Sequence, residues 1–162
     1  MLEEEIIKLD EDQFIAAGAF CKCYQHPSDL QKCIKIPTSN KKANKRHQAD
    51  LNYYKKLHKN QIDLKFIADY LGQCQTSLGT GYIYQCIRDH HGDVSQTLES
   101  YLKHPDTEVD QIYPLLHKLG LYLVESKILI SDLHARNILT PSNAINIHHR
   151  ECSFSIALRD QY

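Results

Sequence analysis

The sequence lacks the features that mark several broad classes of protein. None of its apolar runs approaches the length of a membrane span, and its acidic start, MLEEEIIKLDED, is unlike a secretory signal or a transit peptide. Its net charge of −1 over 162 residues gives no overall basic field for nucleic acid. It has no internal repeat or low-complexity segment. These absences favour one compact cytoplasmic domain or two small lobes, with 42% apolar residues available for a core.

The cysteines also lack the spacing of a redox or zinc motif. No C-x-x-C occurs among the six: Cys21, Cys23, Cys33, Cys74, Cys86 and Cys152. Without a secretory signal, the sequence predicts reduced thiols in a cytoplasmic protein. Cys21 and Cys23 share one face of a predicted strand, which permits a redox or metal pair but favours two small apolar side chains.

Two polar segments suggest alternative functions. The run KKANKRHQADLNYYKKLHK, residues 41–59, is basic and contains two tyrosines, a pattern that nucleic-acid binders use. The rest of the chain balances its charge, so a solvated loop and helix face is the preferred interpretation. The adjacent histidines at 90–91 and 148–149 suggest a metal site. Adjacent residues seldom face one metal ion, so solvated histidines are the preferred interpretation.

The first half of the chain predicts a sheet with one inserted helix. The predicted strands are 14–20, 21–27 and 31–37, followed by a hairpin over 66–87 that turns at Gly79-Thr80-Gly81. Residues 38–47 read as a polar loop by composition. Leu51, Tyr54 and Leu57 then recur at helical spacing.

The second half predicts helices and a functional loop. Ser95 is the expected N-cap of a short helix, TLESYL, and a longer helix spans 107–126. The stretch ISDLHARNIL follows. The order of these elements predicts an α+β two-lobe fold, with an antiparallel five-stranded N-terminal lobe and one helix over 1–87, a link over 88–94, and a partial helical C-terminal lobe over 95–162.

The polar residues of these elements match the needs of phosphoryl transfer. Gly18 would let the backbone approach a phosphate, Lys35 in CIKI lies on the third strand, where kinases carry their phosphate-binding Lys, and Asp50 could pair with it. Asp132 and Asn137 fit D-x-x-x-x-N, in which Asp orients the acceptor hydroxyl and Asn binds Mg²⁺. Together with the order of the elements, these residues predict a protein-kinase-like two-lobe fold, with 1–87 as the N-lobe, 88–94 as a hinge-like link and 95–162 as a partial C-lobe.

The sequence resembles the bacterial YrbL family, the PhoP regulatory network proteins, a divergent branch of the protein-kinase-like superfamily. The resemblance runs in order through AAGAFCKCYQHPSDLQKCIKI, DLNYYKKL, FIADYLGQCQTSLGTGYIYQCIRDHHGDVSQTLESYL and LYLVESKILISDLHARNIL. It implies binding of ATP and Mg²⁺ and phosphotransfer to an unknown acceptor. The D-L-H-x-x-N form is also similar to kinases of small molecules, so a protein substrate is not implied.

The sequence departs from the kinase pattern at several positions. The nucleotide loop has one glycine, Asp50 stands where kinases have Glu, and Ile130-Ser131-Asp132 replaces H-R-D. His134 could contact a phosphate or an acceptor, or could only pack the loop. No D-F-G follows Asn137; Asp160 is the candidate second metal ligand, although a terminal surface charge is the simpler interpretation.

The short stretch after the D-x-x-x-x-N motif suggests a C-terminally truncated lobe. An uncovered lobe should expose an apolar patch around Tyr113, Leu121 and Tyr122 and favour self-association or a protein partner. Catalysis is expected to be weak or absent. The alternative function is therefore a kinase-like regulatory binding module with little or no catalysis in a PhoP-type response.

Overall fold

The computed structural model describes residues 6–18, 20–39, 41–89, 91–105, 107, 109–130, 133–140 and the backbone of 155–156. The described residues fall into two compact units. One unit contains residues from 6 to 61 and from 69 to 86, and the other contains 62–68 together with the residues that follow 86. Each unit is described by itself below.

The first unit is built on a five-stranded antiparallel sheet. Its strands are β1 (Phe14–Ala17), β2 (Cys21–Gln25), β3 (Lys32–Pro37), β4 (Tyr70–Thr76) and β5 (Gly79–Gln85), preceded by a short 3-10 helix over Glu11–Gln13. The strand order is β1-β2-β3-β5-β4. This sheet, with a single helix inserted between β3 and β4, confirms the predicted architecture of the N-terminal part.

Both faces of this sheet are packed. On one face, Leu9, Tyr24 and Ile34 form a buried cluster, with Ile34 fully buried. On the other, Tyr54 of the inserted helix lies 5.8 Å from the ring of Tyr84, measured between centroids, in an edge-on arrangement. Burying aromatic rings in this geometry adds stability beyond the apolar area alone. The helix is thereby fixed against the central strands.

The inserted helix, α1, spans Lys41–Lys59, so the prediction of a loop up to residue 47 is wrong from Lys41 onward. Ala43 and His47 are buried in the same helical phase as Leu51, and Lys and Arg are good helix formers. The basic composition therefore belongs to the exposed side of a helix rather than to a loop.

The β4–β5 hairpin turns at Ser77 and Leu78, two residues before the predicted position. Thr76 Oγ1 closes this turn, accepting from the Leu78 N–H at 3.2 Å and donating to the Gly79 carbonyl at 2.6 Å. Gly81 lies within β5, where an added Cβ would come 2.6 Å from Ile34 Cγ2. Its small size thus serves sheet packing, not the turn.

The second unit contains two helices and a small sheet. They are β6 (Gln96–Thr97), α2 (Leu98–Leu102), α3 (Val109–Glu125), β7 (Ile138–Thr140) and β8 (Ser155–Ile156), with sheet order β6-β7-β8. The N-cap of α2 is Thr97, whose hydroxyl accepts from the Ser100 N–H at 3.2 Å, so the expectation for Ser95 is wrong. Ser95 is instead buried before the strand.

Helix α3 packs against the segment 62–68 of the same unit. The rings of Phe66 and Tyr122 lie 4.8 Å apart at 71°, and the Tyr122 hydroxyl donates to the Asp63 carbonyl at 2.6 Å. Tyr122 is only 5% exposed, so its place in the expected apolar patch is wrong. Tyr113 and Leu121 are exposed, at 73% and 48%, as expected. None of the described helices has both the length and the apolar character that a bilayer span requires.

Candidate functional site

Lys35 is a buried lysine in the middle of the first sheet. It lies on β3, opposite Cys23 on β2 and Tyr82 on β5, and is 8% exposed. Its Nζ lies 4.3 Å from the centroid of the Tyr84 ring. Burying an ammonium group is costly, and contact with an aromatic face offsets part of that cost. Lys35 therefore places its own positive charge at a defined position on the face of the sheet that is covered by α1.

Asp50 is half-buried on α1, the helix that contacts β3. Asp50 thus lies on the helix that contacts the strand of Lys35. The ion pair between Lys35 and Asp50 stays a prediction.

Gly18 closes the turn that follows β1. Its N–H donates to the Cys21 carbonyl at 2.8 Å. A Cβ added at Gly18 would meet only that carbonyl oxygen, at 3.8 Å, which is ordinary contact. The packing of the described residues therefore does not itself demand a glycine here, and a role in admitting a ligand to the backbone stays a prediction.

His134 and Asn137 are joined in one tight turn of the second unit. The Asn137 N–H donates to the His134 carbonyl at 2.9 Å, and the Arg136 N–H donates to His134 Nδ1 at 3.1 Å. A neutral ring that accepts at Nδ1 carries its proton on Nε2, where it can donate to an anion. Asn137 is 2% exposed and is followed directly by β7.

Glu99, at the start of α2, anchors this turn and was not identified from the sequence. Its N–H donates to the Ala135 carbonyl at 3.0 Å, and its Oε1 lies 3.9 Å from Arg136 Nε. The β6–β7 ladder fixes the other side of the turn, because the Thr140 hydroxyl donates to the Gln96 carbonyl at 3.2 Å. No short sequence pattern signals a contact across about forty residues.

A group of thiols beside Lys35 was also missed. Hydrogen bonding with the thiols of Cys23 and Cys86, followed by burial, raises the pKa of the Cys33 thiol, and the charge of Lys35 opposes that shift. The two-residue spacing of Cys33 and Lys35 on one strand was the available signal. Among the described residues, no group of three or more His, Cys, Asp or Glu side chains could hold a metal ion.

The remaining predicted residues fall outside this description. Asp132 and Asp160 lie outside the residues that the structure describes. Gly18, Lys35 and Asp50 belong to the first unit, whereas His134 and Asn137 belong to the second. The site roles predicted for all seven residues stay predictions.

Comparison with solved structures defines the class of fold. A crystal structure of a kinase domain superposes with a TM-score of 0.59 at 18% sequence identity, covering 78% of this chain and 38% of that chain. At this identity the likeness shows the fold alone. The protein has a protein-kinase-like α+β fold.

Sequence comparison defines the family within that class. The family described as PhoP regulatory network protein YrbL matches residues 7–150. The chain is 36% identical over 137 residues to the "Uncharacterized protein YrbL" of Escherichia coli K12 and, with the same figures, to that of Shigella flexneri. The chain belongs to the YrbL family. These matches cover 83% of this chain, and the chain spans 65% of the length of the curated relatives.

Proposed function

We propose that this chain is an ATP-binding, kinase-like phosphotransferase of the YrbL type, with an acceptor that remains to be identified. The observation that carries the proposal is the buried Lys35 on the third strand of a kinase-like sheet, with its Nζ 4.3 Å from the Tyr84 ring centroid. Kinases use a lysine on this strand to bind nucleotide phosphates. Lys35 would bind the phosphates of ATP by charge-assisted hydrogen bonds.

Asn137 is the described residue that would hold Mg²⁺. Its carboxamide oxygen is the kind of oxygen ligand that Mg²⁺ takes. The hydrogen bond from its N–H to the His134 carbonyl fixes the backbone of Asn137, and burial confines its side chain. When bound, Mg²⁺ neutralises charge on the phosphates. Asp160 is the second proposed ligand.

The segment around His134 is proposed to act on the acceptor. We propose that Asp132 accepts the proton of the acceptor hydroxyl and that His134 donates from Nε2 to a phosphate or to the acceptor. The hydrogen bond from the Arg136 N–H to His134 Nδ1 supports this orientation of the ring. Glu99 would position the turn through Ala135 and Arg136.

A regulatory binding module without phosphotransfer is the second candidate. Ile130-Ser131 precede Asp132 in place of the usual His and Arg, and no D-F-G follows Asn137 in the sequence. Such a protein would bind nucleotide through Lys35 and act in a PhoP-type response through a protein partner. The two candidates share the nucleotide site and differ in turnover.

A substitution at Lys35 tests the shared site. Lys35→Met keeps an unbranched stem over Tyr84 but removes the charge, so ATP affinity should fall by about tenfold to a hundredfold, the worth of one charged hydrogen bond. Lys22→Met is the matched control, because Lys22 is an exposed lysine on the neighbouring strand β2. Equal ATP affinity in both variants, measured by calorimetry, would remove Lys35 from the site.

A second variant separates catalysis from binding. Asp132→Asn should abolish Mg²⁺-stimulated ATP turnover and leave ATP affinity near normal, because Asp132 is proposed to act on the acceptor. Turnover that persists in this variant contradicts the role of Asp132. Tight ATP binding without turnover in the unmodified chain supports the regulatory module.

A further inference from the structure

The sheet register gathers cysteines around Lys35. Cys23 pairs with Lys35 across β2 and β3, and Cys33 pairs with Gln25 on β2 and with Tyr84 on β5. Directly paired residues share a face, and so do residues two apart on one strand. Cys23 and Cys33 are therefore diagonal neighbours on the face that carries Lys35.

Cys86 brings a third thiol to the same face. It lies two residues beyond Tyr84, and its N–H donates to the Gln31 carbonyl at 2.8 Å, which continues the ladder between β3 and β5. The thiols of Cys23 and Cys86 both hydrogen-bond with the Cys33 thiol and raise its pKa. Cys33 thus lies between the two other sulfurs.

The other two described cysteines lie apart from this group. Cys21 pairs with Pro37, at the opposite end of the β2–β3 ladder from Cys33. Cys74 packs against the cluster that contains Ile34, on the opposite face of the sheet. Cys21, on the same strand as Cys23, and Cys74, in the same sheet, therefore supply matched controls.

We propose that Cys23 and Cys33 form an oxidant-sensitive dithiol that closes to a disulfide in the presence of hydrogen peroxide. Cys23 is half-buried, whereas Cys33 and Cys86 are 7% and 4% exposed, so a small oxidant reaches Cys23 first. Cys33 is the buried neighbour that resolves the oxidised sulfur. Nothing in the assigned fold or in the proposed phosphotransfer requires this chemistry.

The reaction balances in two steps. The Cys23 thiolate attacks one peroxide oxygen, the O–O bond breaks, and a sulfenic acid forms while the leaving hydroxide takes a proton to become water. The Cys33 thiol then loses its proton as its sulfur attacks the sulfenic sulfur, the S–S bond forms, and the departing hydroxide takes that proton to become water. Two thiols and one hydrogen peroxide give one disulfide and two waters.

Strand geometry makes this disulfide reversible. Diagonal neighbours in an antiparallel pair have Cα atoms about 7–8 Å apart, whereas a relaxed disulfide needs about 4.4–6.8 Å. Closure must therefore draw β2 and β3 together locally. Strained disulfides are reduced more readily, which suits a regulatory bond and not a structural one.

Closure should also disturb the proposed nucleotide site. Lys35 lies directly opposite Cys23 and two residues beyond Cys33, so it is part of the backbone that must shift. Oxidised protein should therefore bind ATP at least about tenfold more weakly than reduced protein, a change of about 1.4 kcal/mol. This consequence rests on the proposed function, whereas formation of the bond does not.

Peptide mapping of the unmodified chain tests the bond directly. After peroxide treatment and blocking of remaining thiols with N-ethylmaleimide, trypsin separates Cys23, in 23–32, from Cys33, in 33–35, and from Cys21, in 9–22. The expected product is peptide 23–32 joined to 33–35 and released by dithiothreitol. Its absence, or a dominant bond from Cys33 to the peptide 66–88, overturns the proposal.

Variants and ATP titration complete the test. Cys33→Ser should abolish the cross-link and the loss of ATP affinity on oxidation, whereas Cys21→Ser and Cys74→Ser should keep both.

If the bond forms but the reduced chain does not bind ATP, the proposed function fails and the dithiol stands. If the reduced chain binds ATP and no bond forms, the dithiol fails. A bond that leaves ATP affinity unchanged overturns the coupling.

Discussion

The ionisation of Tyr122 should be visible in the stability of the protein. Burial and the negative charge of Asp63 raise the pKa of Tyr122 to about 12, although a hydrogen bond from the Phe66 backbone acts to lower it. An unfolded tyrosine loses its proton near pH 10, so the stability that Tyr122 contributes is fully present below that pH. It should be lost as the pH rises from about 10 through 12.

Tyr122→Phe provides the comparison. The variant should be less stable than the wild type by about 1 kcal/mol at pH 9, because it lacks the hydrogen bond to the Asp63 carbonyl. The difference should shrink and then reverse toward pH 12. Urea unfolding at several pH values measures it, and Tyr113→Phe, at an exposed tyrosine, controls for loss of a hydroxyl. A difference that stays constant with pH contradicts the assignment.

At the scale of single residues, the sequence could name a candidate only where the signal was local. Lys35 and Asn137 stood in short motifs and were named as candidates, and their roles stay predictions. Glu99 could not be named, because its contacts with Ala135 and Arg136 join distant parts of the chain. The Cys33 environment likewise depends on the register of three strands, which no short motif specifies.

At the scale of elements, Gly81 makes the sheet sensitive to one methyl group. An added Cβ would lie 2.6 Å from Ile34 Cγ2 and 3.0 Å from both Ile36 Cδ1 and Thr76 Cγ2. Gly81→Ala should therefore destabilise the protein by about 1–3 kcal/mol through overpacking. The midpoint of urea unfolding is the measurement.

Gly120 offers a control of opposite sign. It lies inside α3, and an added Cβ would meet nothing within 4 Å. Gly120→Ala should stabilise the protein by about 0.5–1 kcal/mol, because alanine loses less entropy in a helix. Equal effects of the two substitutions would show that the contacts around Gly81 are not tight.

The elements themselves were predicted where periodicity was strong. The five strands and helix α3, expected over 107–126 and found over Val109–Glu125, followed from apolar spacing. The start of α1 was missed because its first two turns bury only Ala43 and His47 among basic residues. The cap of α2 was missed because choosing between Ser95 and Thr97 requires knowing where β6 pairs with β7.

At the scale of the whole molecule, α3 presents an apolar stripe to solvent. Val109, Tyr113, Leu116 and Val124 recur on one side of the helix and are 36–76% exposed. We expect this stripe to promote association between copies of the chain, because contiguous exposed apolar area favours burial. Light scattering should show a mass that rises above 18.8 kDa with concentration.

Two variants identify the stripe as the cause. Val124→Lys should lower the mass at high concentration, because it places a charge within the stripe. Glu125→Lys, which places the same side chain at an exposed position of α3 away from the stripe, should not. A mass of 18.8 kDa at every concentration would show that the stripe does not drive association.

A calorimetric titration tests the proposed binding of ATP together with Mg²⁺ to this kinase-like chain. ATP is titrated into the reduced protein with Mg²⁺ and, separately, with EDTA, and both titrations are repeated with Asn137→Ala. We expect a dissociation constant below about 1 mM with Mg²⁺, at least about tenfold weaker binding in EDTA, and loss of that difference in the variant. Absence of saturable binding by the unmodified chain in either condition would show that the chain is not a nucleotide-binding protein of this kind.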